Sequence, residues 1–228
     1  AHLLREPEVN VRFIAYRKWS GLRKRDQEQV EGLVAQTLED RVRLQTLLQK
    51  TNKNKSDIPI QAFRAKDLED SEASAYDLRK QWHLGLDPIA SVTGVLESHL
   101  VHVIEINADE RFDGISAVAS TNEHHVAAAV VCRRPVPGER QRFNLAHELG
   151  HLVLRVAESV DEEKAAFRFA ASFLAPAELV RKEIGEKRTS VRIEELLLLK
   201  RKFGMSLQAL LYRLKELTII NESHYKQW

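Results

Sequence analysis

Residues 147–151 read His-Glu-Leu-Gly-His. In a helix, residues four apart lie on one face, one turn above the other. His147 and His151 can therefore aim two imidazoles at one ion. Glu148 stands beside them, close enough to hold a water without becoming a ligand. Zinc brings the pKa of a bound water towards neutrality, and a carboxylate can then take its proton. The spacing predicts a divalent metal site with hydrolytic chemistry, zinc first and manganese as the other ion that His and carboxylate ligands accept. The flanking Phe143, Leu145, Ala146, Leu149, Leu152, Val153 and Leu154 are apolar, so this helix should be buried on most sides. Two histidines and a glutamate inside such a helix are costly without a partner, and a metal supplies one. The competing reading is an exposed polar stripe that only hydrogen-bonds.

A catalytic zinc site usually has a third protein ligand and an open position. Downstream, the candidates are Glu158, Asp161, Glu162 and Glu163. Ser159 and Glu162 form Ser-x-x-Glu, a capping box that would start a helix and occupy Glu162. Glu163, one residue on, is the expected third ligand. Against this, acids are common in first turns for dipole reasons alone. Ala165, Ala166, Ala170 and Ala171 are small enough to let this second helix approach the first closely.

These helices need a frame. Apolar residues from Val30 to Leu48 recur at helical spacing and predict one long amphipathic helix over 26–50. Thr51–Asp57 is polar and reads as a linker. Helices are expected over 71–83, stopped near Gly85, and over 88–99, with Asp87 as cap and Pro88 at the first position. Residues 99–106, 115–120 and 125–132 read as strands, the last two joined at Thr121-Asn122-Glu123 as a hairpin. After Pro135, Pro137 and Gly138 the pattern is helical, at about 139–156, 160–173, 191–203 and 206–217. The strand 125–132 runs just before the His helix. If it were an exposed edge, it could pair with a substrate backbone, with His125, Ala127 and Ala129 as the binding positions. The alternative is a buried strand whose small residues pack under a helix. His124 and His125 are also candidate donors to a developing oxyanion, with a surface turn the plainer reading, and Tyr212 is another candidate.

The chain has 228 residues and is 43% hydrophobic and 30% charged. That is enough for a real core in one or two domains. Thirty-five Lys and Arg against 33 Asp and Glu leave no strong field to select nucleic acid or acidic lipid. No apolar run reaches membrane-spanning length, so no membrane partner is expected. Cys132 is the only cysteine, which fits a reducing cytoplasm. The sequence starts without Met and without a signal-peptide pattern, and a further segment upstream is expected. A basic cluster with aromatics (Tyr16, Arg17, Lys18, Trp19, Arg23, Lys24, Arg25) reads as solvated surface or as a patch facing phosphates.

The run Glu139-Arg140-Gln141-Arg142-Phe143-Asn144-Leu145-Ala146-His147-Glu148-Leu149-Gly150-His151 resembles the active-site helix of the ImmA/IrrE family of metallopeptidases. The run from Glu163 to Pro176 resembles that family's second motif, a Glu followed by Ala, then Phe-Ala, then Leu-x-Pro. Leu78-Arg79, Leu84-Gly85, Asp87-Pro88-Ile89, Leu96-Glu97 and Phe112-Asp113-Gly114 are similar to its lead-in segment. The resemblance covers about 73–176, and Phe203-Gly204-Met205-Ser206 extends it towards the C-terminus. It implies a gluzincin-like zinc site of His147, His151 and Glu163, with Glu148 as general base. It also implies cleavage of a helix-turn-helix repressor as the partner protein. Ala165 and Phe167 stand where the family often has polar or acidic residues, and Asn144 where Thr is frequent. These departures bear on the surroundings of the site more than on the ligands.

The expected fold class is α+β, mainly helical, with a small antiparallel or mixed sheet beside a zincin-type helix and a helical C-terminal part. The expected divisions are an N-terminal segment at 1–58, a metallopeptidase core at 59–180 and a C-terminal helical part at 181–228. The expected function is a cytoplasmic zinc endopeptidase acting on a regulatory protein. The alternative is a non-proteolytic metal- or ligand-sensing module of a transcriptional regulator. DNA would enter only through an upstream domain or weakly through the basic segment 17–25.

Overall fold

The computed structural model describes residues 9–16, 24–49, 59–108, 112, 114–121 and 124–228. In chain order the elements are β1 (Asn10–Tyr16), α1 (Lys24–Gln49), β2 (Phe63–Ala65), α2 (Leu68–Gln81), α3 (Val92–Ser98), β3 (Val101–Asn107), β4 (Gly114–Thr121) and β5 (His124–Arg134). Then come α4 (Gly138–Val153), β6 (Leu154–Val156), α5 (Glu162–Leu174), α6 (Ala177–Ile184), α7 (Ile193–Phe203), α8 (Leu207–Glu216) and α9 (Glu222–Tyr225). The fold is α+β. Most of the basic cluster (17–23), the expected linker 51–57 and the hairpin tip 122–123 lie outside the described residues.

Four strands form a mixed sheet in the order β1-β4-β5-β3. β1 and β5 flank β4 antiparallel, and β3 lies parallel to β5. Period-two alternation divides the side chains between two cores. Ile115, Ala117, Ala119, Ala127, Ala129 and Val131 point to one face, where Val34, Leu38 and Val42 of α1 cover them. Val118, Ala128, Val130 and Cys132 point to the other, against Leu145, Leu149 and Leu152 of α4. The sheet thus lies between one long helix and the remaining helical layer. Cys132 is buried as a free thiol in that second core.

The helical pattern of α1 was legible, but only its middle is covered. Val34, Leu38 and Val42 are buried, whereas Leu33, Leu44, Leu47 and Leu48 are exposed. β1 falls in a stretch whose basic neighbours suggested surface or linker. It joins the sheet through the unpaired side of β4, so the sheet takes a strand from the segment ahead of the expected core.

Three boundaries differ from the sequence expectation. The helix expected from Pro88 starts only at Val92, with Ser91 as its cap accepting from the Gly94 amide. The carbonyls of Asp87, Ile89 and Ala90 are used elsewhere: Arg79 binds the first, and Arg142 the other two. The His helix ends at Val153, and Leu154–Val156 instead forms β6, parallel to the unforeseen β2. Asp161, not Ser159, caps α5, its carboxylate accepting from the Lys164 amide at 3.0 Å. Pro176 then closes α5 and opens α6, a helix not anticipated individually.

Two buried arginines tie the layers. Arg79 donates to the carbonyls of Gly85, Phe173 and Asp87, fixing α2 to the end of α5. Burial pushes its pKa down to about 10, against the pull of Asp87. Arg213 of α8, fully buried, clamps both carboxylate oxygens of Glu72 on α2 at 2.7 and 3.1 Å. Arg168 of α5 reaches the same carboxylate at 2.7 Å and Glu216 at 3.1 Å. Three helices thereby share one charge network.

Candidate metal centre

The His helix α4 is buried from Leu145 to Val153. His147, Glu148 and His151 are 1%, 2% and 4% exposed, so the exposed-stripe reading does not hold. α5 packs across α4 because Gly150 leaves room. A Cβ there would lie 3.2 Å from the Ala166 Cα and 3.1 Å from the Phe169 ring. This close approach, with Ala165 and Ala166 opposite, brings the first turn of α5 over the two imidazoles.

The result is a cluster of His147, His151 and Glu163 that can offer donors to one metal ion. The two Nε2 atoms are 3.1 Å apart. Glu163 lies 3.4 Å from His147 Nε2 through one carboxylate oxygen and 3.3 Å from His151 Nε2 through the other. Donors held at ~2.0–2.1 Å from a zinc ion at tetrahedral angles sit about 3.3 Å from one another. The imidazole separation and the approach of each Glu163 oxygen to one imidazole have about that size, and one donor atom from each residue lies within 4.8 Å of the others, so the donor set fits a divalent ion. Two imidazole nitrogens and a carboxylate suit zinc and accept manganese. The Glu163 side chain is about half exposed, which opens the cluster to solvent from the α5 side.

Electrostatics point the same way. Burial alone would lower the pKa of His151. The Glu163 hydrogen bond and the carboxylates of Glu148, Glu163 and Glu162 outweigh it and raise the value above the ordinary range. The site thus favours positive charge. Glu162 contributes because Asp161 does the capping: its carboxylate lies 3.5 Å from His151 Nδ1, where the sequence reading had it engaged elsewhere.

Glu148 points away from α5, towards the sheet. Ser116 of β4 donates its hydroxyl to Glu148 Oε2 at 2.7 Å and approaches the Glu148 carbonyl at 3.1 Å. Gly114, two residues earlier on the same face of β4, leaves space for the carboxylate. A Cβ there would come within 2.5 Å of Glu148 Oε1. From sequence Gly114 stands out only as part of the lead-in run Phe112-Asp113-Gly114, and Ser116 is not singled out. The only signal was alternation, which puts 114, 116 and 118 on one face, but nothing local says which helix that face meets.

The expected substrate positions on β5 lose their premise. From Ala128 onward β5 is internal, paired on one side with β4 and on the other with β3, so Ala129 offers no edge to another backbone. Ala127 and Ala129 are fully buried and face α1, away from the His helix. His125 is exposed and contacts Ser120 at 3.0 Å through Nδ1, at the far end of the strand. Small residues here serve packing. The side chain of His124 lies outside the described residues. Tyr212 lines a cleft next to the cluster, together with Phe143, Asn144 and Phe167. Phe167, where a polar residue was a natural expectation, lays its ring 4.4 Å from that of His147.

The family model of the IrrE N-terminal-like domain, a peptidase family, matches residues 119–215. These residues, fewer than half of the chain, are similar to an IrrE N-terminal-like domain. The match agrees with the resemblance to the ImmA/IrrE family carried by the motifs. The domain runs from the end of β4 through most of α8 and contains all four of His147, Glu148, His151 and Glu163. Gly114 and Ser116 lie just ahead of it, so the strand that holds Glu148 starts outside the matched segment. No curated protein matches the chain. Among the described residues no helix is long and apolar enough to cross a membrane.

Proposed function

We propose that the chain is a zinc-dependent endopeptidase whose centre is His147, His151 and Glu163, with Glu148 as general base. The observation that carries this reading is the convergence of one donor atom each from His147, His151 and Glu163 within 4.8 Å of one another, beside the buried carboxylate of Glu148. The match of residues 119–215 to a peptidase family model supports the same reaction class.

His147 and His151 would hold the ion from α4, and Glu163 would hold it from α5. A bound zinc ion supplies Lewis acidity, polarising a peptide carbonyl and making water more acidic. Ser116 occupies Glu148 Oε2 and so fixes the plane of the carboxylate. Glu148 then takes a proton from the attacking water and passes it to the amine nitrogen of the broken bond. Burial of Glu148 strengthens its interaction with a nearby cation, because little water screens it.

The proposed substrate is a regulatory protein, a helix-turn-helix repressor, as the family resemblance implies. Two measurements test the reading. Elemental analysis should find about one zinc per chain, as three protein donors with an open fourth position predict. Glu148→Gln should keep that zinc and lose cleavage of a repressor by at least about a hundredfold, the scale of a general base. Unchanged cleavage in that variant would sink the mechanism.

A further inference from the structure

Beside the metal cluster, between α4, α5 and α8, lies a cleft of about 770 Å³. The two site helices cross antiparallel: His151 faces Glu162 and Glu163, and His147 faces Glu163. One turn further, Phe143 meets Phe167 at 5.8 Å. The stripe 151–147–143 on α4 and the stripe 163–167–171 on α5 therefore lead from the donors directly into the cleft. Phe167 belongs to both places, since it touches the His147 ring and lines the cleft.

The cleft has a small floor and aromatic walls. Ala171 and Ala209 leave it open, and Tyr212 and Tyr225 meet edge to face at 6.1 Å on its far side. Phe167 and Tyr212 are each 44% exposed, an unusual amount for two large rings that line one cavity. The carboxylates along the cleft already have cations: Glu139 has Lys200, and Glu216 has Arg168. A positively charged visitor would gain little there. The far wall is held in place before anything binds, because Arg213 anchors α8 to Glu72 and to the Ala175 carbonyl.

We infer that this cleft is the specificity pocket of the site, and that it takes a large apolar side chain of a polypeptide, aromatic or long aliphatic, next to the bond presented to His147, His151 and Glu163. The inference rests on the metallopeptidase reading and adds the substrate class. Arg140, Asn144, Lys164 and Gln208 also line the cleft, so its apolar walls come with polar groups, the mixture that positions such a side chain and its backbone.

The test uses the full chain loaded with zinc and two peptide hydroxamates that differ only in a benzyl or a methyl side chain beside the metal-binding group. Calorimetry should find the benzyl compound at least about tenfold tighter, the scale set by burying a ring's extra apolar surface. Ala209→Trp, which fills the cleft, should bring the two affinities together by weakening the benzyl compound alone. Tyr212→Ala, at an exposed position that does not threaten the fold, should narrow the gap in the same way. Equal affinities in the unmodified protein, or a preference that survives both variants, would overturn the pocket and leave the metal reading standing. Binding of neither hydroxamate would overturn the metal reading and the pocket with it.

Discussion

At the scale of single residues, the site depends on a hydrogen bond that crosses from sheet to helix. Ser116 is fully buried and holds one oxygen of Glu148 at 2.7 Å. Ser116→Ala would leave that carboxylate without its sheet partner. A hydrogen bond to a charged group contributes about 1.5–3 kcal/mol. We expect the variant to retain zinc and lose roughly tenfold or more in turnover, with little change in KM, since Glu148 does not hold the substrate. Loss of zinc in parallel would show that Ser116 supports the fold of the site and not the base. Gly114 is the stricter position. A Cβ there would meet Glu148 Oε1 at 2.5 Å and Cδ at 2.8 Å, so any side chain displaces the carboxylate.

At the scale of elements, the centre exists because α4 and α5 touch. His147 and His151 are set by helical spacing alone, but Glu163 reaches them only across the contact at Gly150. Gly150→Val would drive the Ala166 backbone and the Phe169 ring away. Overpacking of this kind costs about 1–3 kcal/mol in stability. Its effect on the metal should be larger than a simple stability loss. Pushing α5 outward removes one of three donors, so we expect zinc affinity to fall by at least about tenfold while helix content by circular dichroism stays close to the parent. Unchanged zinc affinity would show that Glu163 is not a ligand. The corrected cap also belongs to this scale. Because Asp161 starts α5, Glu162 and Glu163 both fall in the first turn, and both carboxylates face His151.

At the scale of the whole molecule, one charge network joins α2, α5 and α8. Burial opposes ionisation of Glu72, but Arg213 and Arg168 overcome it and hold the carboxylate below its ordinary value of 4.5. A depressed carboxylate adds stability that is present above the unfolded value and disappears as pH falls through the folded one. Glu216 runs the other way: burial lifts its pKa despite Arg168, so its ionisation detracts from stability as pH rises. Glu72→Gln leaves Arg213 buried without its bidentate partner. Breaking such a pair costs about 3–5 kcal/mol, and we expect a clearly lower Tm at neutral pH. The gap to the parent should shrink as pH drops below 4.5, because the parent then loses the same charge. A gap that stayed constant with pH would mean that shape, not charge, makes Glu72 important. The same network sets the far wall of the cleft, so this variant should also weaken the benzyl preference.

The sequence by itself determined the local parts of this protein. The pair His147 and His151 follows from helical period, the burial of their helix from its apolar flanks, and Glu163 from its place in the first turn of a helix rich in alanine. The strands of β3, β4 and β5 and the course of α1 were legible from the same periodicities. What it did not determine is which faces meet. The small residues Ala127 and Ala129 signalled close packing, but only the sheet order shows that the packing is under α1 and that β5 has no edge at Ala129. β2 is only three residues long, β1 borders the basic cluster, and both pair with distant partners, so neither was read as a strand. Glu148 is held by a strand 32 residues earlier in the chain, through a serine and a glycine that are unremarkable until the sheet is folded over α4. Local periodicity fixes which side chains share a surface, while contacts between elements are long-range and are decided only when the two cores close.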